Sequence, residues 1–127
     1  MKRMIFLLAM SLFLPATVNA ADIDGNYHVL TPPGAIGFCG KYVSARDKAR
    51  RGEYRDHNLH FTWILGYITA YNYQAPDTYD VRGQTDTSGI LLWLENYCKQ
   101  TPLTDFAQAM ELLTDELHPK RIRKAPK

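Results

Sequence analysis

Chemistry in this chain would have to come from two cysteines, four histidines and a set of carboxylates, and their spacing says what each could do. Cys39 and Cys98 are its only thiols. Neither belongs to a Cys-x-x-Cys motif or has a histidine beside it in sequence to draw off its proton, so a catalytic thiolate is not set up. In an oxidising compartment two thiols of a small domain pair, and the one intramolecular pairing open here joins Cys39 to Cys98; pairing between chains is the alternative. His57 and His60 could share a helix face. A zinc site needs further ligands, however, and no second pair with ligand spacing follows. His28 and His118 are isolated. The acid pairs Asp77 with Asp80 and Asp115 with Glu116 read as solvated surface groups. No Gly-x-Ser-x-Gly elbow, Gly-rich phosphate loop or basic aromatic groove occurs. The expectation is a non-enzymatic chain with no catalytic residue, no metal and no cofactor.

The compartment follows from the first residues. Lys2 and Arg3, an apolar run from Ile5 to Leu14 and small side chains at Val18 and Ala20 form an export signal with cleavage expected after Ala20. That run is far shorter than the roughly 20 residues that span a bilayer, and no later segment reaches that length without charges, so no transmembrane segment is expected in the mature chain. A periplasmic location and an oxidised cysteine pair are expected together. Loss of Lys2 and Arg3 takes 15 basic residues to 13, equal to the 13 acidic ones. The mature charge is then zero, which removes the usual reason to propose nucleic-acid binding. Lys120, Arg121, Arg123, Lys124 and Lys127 place five cations in the last eight residues, which leaves residues 21–119 with a net charge of −5.

Four helices are predicted to carry these groups. Asp22 to Gly37, with Gly25, Pro32, Pro33, Gly34 and Gly37, reads as an extended lead-in. Phe38, Tyr42, Ala45 and Ala49 mark a first helix that Gly52 stops. A second is predicted from a cap at Asn58 to about Tyr73, with Phe61, Ile64, Leu65 and Ile68 on one face and Trp63, Tyr67 and Tyr71 on the next. The width of that stripe predicts a central helix, and Gly66 within it predicts the close approach of a neighbour. Residues 74–87 form a long loop. Asp86 or Ser88 caps a third helix with Ile90, Leu91, Leu94, Tyr97 and Cys98 on its core face. Thr101 and Pro102 start a fourth, spaced by Leu103, Phe106, Met110, Leu113 and Leu117 and ended by His118 and Pro119. The fold class is all-α: a compact bundle of about four helices with one intramolecular disulfide, arranged as a signal peptide over 1–20, a single helical domain over 21–119 and a basic tail over 120–127.

The aromatic load of the second helix and its loop is the remaining candidate for function. Trp63, Tyr67, Tyr71, Tyr73 and Tyr79 are mostly core by position, yet Tyr and Trp dominate binding hot spots, and a subset shown beside the loop acids Asp80 and Asp86 would make a protein-binding face. A stripe too wide for one small core points to a homodimer or to internal packing, which periodicity does not separate.

The export signal, Cys39 opening the first helix, Trp63-Ile64-Leu65-Gly66-Tyr67 in the second and Trp93-Leu94-Glu95-Asn96-Tyr97-Cys98 closing the third together resemble the HdeA/HdeB-like periplasmic proteins over about residues 38–117. The resemblance implies a small disulfide-linked helical domain, an acid-stress chaperone role and unfolded proteins as clients. At low pH 13 carboxylates would neutralise and four histidines would charge, taking the mature side chains to +17 and exposing the Trp63, Tyr67 and Tyr71 face. Tyr97-Cys98-Lys99-Gln100-Thr101-Pro102-Leu103 before an amphipathic helix also resembles the Tai-type immunity proteins. That second resemblance implies a cognate cell-wall enzyme as partner, its cleft entered by the loop over 76–86.

Overall fold

A computed structural model describes residues 28–32 and 36–127. The expected signal peptide over 1–20, its cleavage site and much of the lead-in lie outside the described residues. The described chain forms α1 (Cys39–Arg50), α2 (Arg55–Gln74), α3 (Thr87–Gln100) and α4 (Phe106–Leu117), followed by one 3₁₀ turn over His118–Lys120. Among the described residues there is no strand, only two isolated bridges. Cys39 and Cys98, both fully buried, are joined as a disulfide. The all-α bundle with one intramolecular bridge is therefore the fold, in which α1 and α4 each pack against all three other helices, while α2 meets only α1 and α4.

That arrangement corrects the expectation that α2 is central. The rings that widen its stripe carry polar atoms, and each ring stops at the edge of the core, where those atoms find partners. Trp63 Nε1 donates to the Leu30 carbonyl at 2.9 Å, and Tyr71 Oη lies 2.9 Å from His118 Nδ1. Helix α1 is polar instead. It buries only Cys39, Tyr42 and Ala45 and uses its cations as connectors: Lys48 pairs with Asp56 of α2, and Arg46 and Arg50 pair with Glu95 of α3. Long cationic side chains can cover core while their heads stay paired.

Two helix starts also differ from the sequence reading. Helix α2 begins four residues earlier than predicted, after Tyr54, which makes no side-chain cap; Asn58 is already inside the first turn, its N–H donating to the Tyr54 carbonyl. The Lys48–Asp56 contact holds this turn to α1, and a carboxylate there suits the helix N-terminus. Helix α4 starts at Phe106 rather than Pro102, with Asp105 as its cap and Ala107 N–H donating to the Asp105 carboxylate at 2.8 Å. The intervening turn is needed elsewhere. Phe38 offers no side-chain cap to α1, so the α1 amides of Cys39 and Gly40 donate to the carbonyls of Thr104 and Pro102 at 2.8 and 2.9 Å, and Phe106 N–H returns to the Gly37 carbonyl. A helix starting at Pro102 would have consumed that carbonyl internally. The same approach brings Gly40 beside Pro102, whose oxygen a Cβ there would meet at 3.4 Å, in van der Waals contact.

Three residues of the basic tail are fixed in place. Ile122 exchanges backbone hydrogen bonds with Asp80 and accepts one from Tyr79 N–H, so the chain from Lys120 to Ile122 straps the 75–86 loop. Asn72 Oδ1 accepts Val81 N–H at 2.8 Å and seats Val81 in the core, tying the loop to α2. Gly83, with a φ of 61°, lies against the Lys120 carbonyl so closely that a Cβ would clash.

Candidate functional site

The outer face of α2 is the most unusual surface of the molecule. Thr62, Leu65, Gly66, Thr69, Ala70 and Tyr73 recur at helical spacing and are all exposed, and no Asp, Glu, Lys or Arg occurs between Asp56 and Asp77. A helix face turned to water normally carries charge. Gly66 departs from its expected role, because a Cβ there would meet nothing within 4 Å; no neighbour among the described residues approaches it. Thr62, Gly66 and Ala70 form a shallow, small-residue track flanked by Leu65 and, one turn on, Tyr73, which is 93% exposed.

The seven residues picked out for protein binding separate into three groups. Tyr73 and Tyr79 are exposed at the loop end of α2. Trp63, Tyr67 and Tyr71 are half-buried and pack against the core; Trp63 lies against Tyr67 and Phe106, and burial pushes the Tyr67 hydroxyl up to about 12. Asp80 and Asp86 hold backbone: Asp80 forms a two-pronged contact with the Arg82 guanidinium and accepts Arg82 N–H, and Asp86 caps α3 through Gly89 N–H at 2.7 Å. The Arg82 hydrogen bonds outweigh partial burial and hold the Asp80 carboxyl below its usual range. Sequence reading placed Leu65 on a core face and Gly66 against a neighbour and gave Thr69 and Ala70 no role; the signal for this exposed track was the charge-free run itself.

The histidine pair does not converge on a common ligand position. His57 stacks over Phe61, while His60 is buried between Tyr42 and Phe106 with centroid distances of 5.4 and 5.3 Å. Among the described residues no group of three or more His, Cys, Asp or Glu could hold a metal ion. His60 Nδ1 lies 2.8 Å from the Asp56 carbonyl, which fixes it as the protonated nitrogen, and its Nε2 is buried without a partner. Burial depresses the pKa of His60 and of His57, against a smaller opposing effect of Asp56 on His60; Lys41 and Tyr42 of α1 face the same ring.

This geometry gives a pH dependence of definite sign. A histidine whose folded pKa is depressed stabilises the fold while neutral, and that contribution is lost as pH falls below the unfolded value of about 6.5. Charging His60 would bury a second N–H donor without an acceptor, a cost of about 1–3 kcal/mol. Urea titrations between pH 7 and pH 5 should show wild-type stability falling more steeply than that of His60→Phe. Parallel slopes would exclude His60 as the acid-sensitive group.

Comparison with protein-family models, with curated proteins and with solved structures finds no match to this chain.

Proposed function

We propose that this chain is an exported, non-enzymatic protein-binding domain of the periplasm whose contact surface is the uncharged outer face of α2, continued by Tyr73 and Tyr79. The observation that carries this reading is the exposed track of Thr62, Leu65, Gly66, Thr69 and Ala70, which carries no charge to keep it in water. Small residues let a partner's backbone approach closely, and Leu65 and Tyr73 supply apolar and aromatic anchors at its edges. Affinity capture from periplasmic extract at neutral and acidic pH, with wild type and Leu65→Asp/Tyr73→Asp side by side, tests it. The variant should lose the wild-type partners; retention of all of them removes α2 as the surface.

The HdeA/HdeB-like form of this reading, with unfolded clients bound in acid, draws support from the joint between α1 and α2. His57 and His60 are kept neutral there by burial, so acid loosens α2 and frees Trp63, Tyr67 and Tyr71 as further contact area. Suppression of client aggregation between about pH 2 and pH 4, followed by light scattering, is the expected result, and its absence discards the chaperone form. A second reading, an inhibitor or immunity protein acting on a cell-wall enzyme, is favoured by the strap: a loop held by Ile122 and Asn72 is already ordered for entry into a cleft.

A further inference from the structure

The C-terminal strap has a charge pattern that the protein-binding face does not use. Lys120, Arg123, Lys124 and Lys127 are exposed, and none of the six ion pairs among the described residues draws on them or on Arg121. Their position is set by backbone. Ile122 N–H donates to the Asp80 carbonyl at 2.9 Å, and the Ile122 carbonyl accepts from Tyr79 and Asp80. Arg121 donates from Nε to the Asp77 carbonyl at 3.1 Å and from its terminal nitrogen to the His118 carbonyl at 2.9 Å. The cations therefore leave the body at one fixed place, beside Tyr79, which is 52% exposed, and at the same end as Tyr73, next in sequence to the Asn72 that holds the loop. Five of the 13 cations of residues 21–127 lie in this strap and its continuation, while residues 21–119 carry a net charge of −5.

We propose that this end is a docking surface for an anionic lipid bilayer. Three features select that partner. Lys120, Arg123, Lys124 and Lys127 are all exposed and follow one another along the chain end, which suits a diffuse field of phosphates. Exposed tyrosines beside them suit the headgroup layer, where a ring has one apolar and one wet side. Juxtaposed Lys and Arg act on an anionic leaflet additively, each raising partition about fivefold, without requiring defined stereochemistry. The surface shares Tyr73 and Tyr79 with the protein-binding face, but its cations are its own, so the triple variant below tests it without touching that reading.

Co-sedimentation of the processed protein, recovered after export, with vesicles of equal parts phosphatidylglycerol and phosphatidylcholine tests the proposal. Binding is expected to the mixed vesicles, not to phosphatidylcholine alone, and to disappear in high salt. Arg123→Ser/Lys124→Ser/Lys127→Ser, which lies beyond Ile122 and spares the strap, should weaken partition about 100-fold with an unchanged circular dichroism spectrum. Tyr73→Ser/Tyr79→Ser should weaken it several-fold. No binding to the mixed vesicles, or undiminished binding by the triple variant, overturns the proposal. Equal affinity for soluble polyglutamate overturns the lipid assignment and makes this end a general polyanion site.

Discussion

Replacing both cysteines with alanine is expected to destabilise the fold by about 4 kcal/mol. The bridge closes a loop with a sequence separation of 59, and chain-entropy arguments assign about that much to a loop of such length. Little of it can be recovered elsewhere. Cys39 and Cys98 are fully buried, and the α1 terminus that Cys39 opens is otherwise held by the two amide bonds to Thr104 and Pro102. Against a net stability of about 5–15 kcal/mol the loss is a large fraction, and it should lower the melting temperature by roughly 15–30 °C. Thermal melts of oxidised protein, reduced protein and Cys39→Ala/Cys98→Ala, read by circular dichroism, check it. The last two should melt together and well below the first. Superimposed melts would mean that the turn carbonyls, and not the bridge, hold α1 in place.

Why some of this was legible in the sequence, and some not, comes down to whether a contact is local. Helix α3 could be placed because Asp86 caps it within the same turn, and α1 because Gly52, at a φ of 92°, stops it. The start of α2 could not be, since no residue caps it locally and its first turn leans on Lys48 across the chain. The start of α4 was misplaced because Pro102 carries a helix-start signal, while the use of its carbonyl by Gly40 depends on the folded arrangement. The charge-free run of α2 stands in the sequence, but periodicity alone assigned its rings to a central core. A helix that covers its neighbours with half-buried rings has the same pattern as one surrounded by them.

The strap and the ion cluster left only faint traces. Ile122 is the single large apolar residue among five cations, and it is the one that pairs with the loop. Arg46 with Arg50, and Glu95 with Lys99, are charge pairs one helical turn apart on α1 and α3. Nothing in either stretch states that the two pairs meet. Glu95 falls between core positions Leu94 and Cys98, where a glutamate would ordinarily be read as the solvent side of the helix.

Glu95 supplies the second large effect. Its side chain is 2% exposed and accepts from Arg46 Nε at 3.1 Å, from the Arg50 guanidinium and from Lys99 Nζ at 2.7 Å. The cations are 23%, 51% and 51% exposed, so the carboxylate is shielded largely by the groups that pair with it, and they stay hydrated while it does not. Burial raises its pKa, but hydrogen bonds from Arg50, Lys99 and Arg46 outweigh that and hold it at about 2, against an ordinary 4.5. A depressed carboxyl pKa contributes stability that is fully present above the unfolded value and is lost as pH falls through the folded one, here between about pH 4.5 and pH 2. The difference corresponds to about 3 kcal/mol. Glu95→Gln keeps the shape, strands three cations around a neutral amide and should cost that amount at pH 7, with the gap to wild type closing as pH approaches 2. Denaturant titrations at neutral, mildly acid and strongly acid pH measure it; a gap independent of pH would mean that the side chain acts by packing alone. The same signs order the events of acidification. On the α2 side of α1, burial withholds from His57 and His60 the protons that the unfolded chain binds below about pH 6.5, so stability is lost there first, whereas Glu95 keeps its charge on the α3 side until about pH 2, beside a disulfide that acid does not break. Opening in mild acid is therefore expected to part α2 from α1 and leave α1 and α3 joined, so amides of α2 should lose hydrogen-exchange protection before those of α3. Loss of both together at mild pH would refute this order.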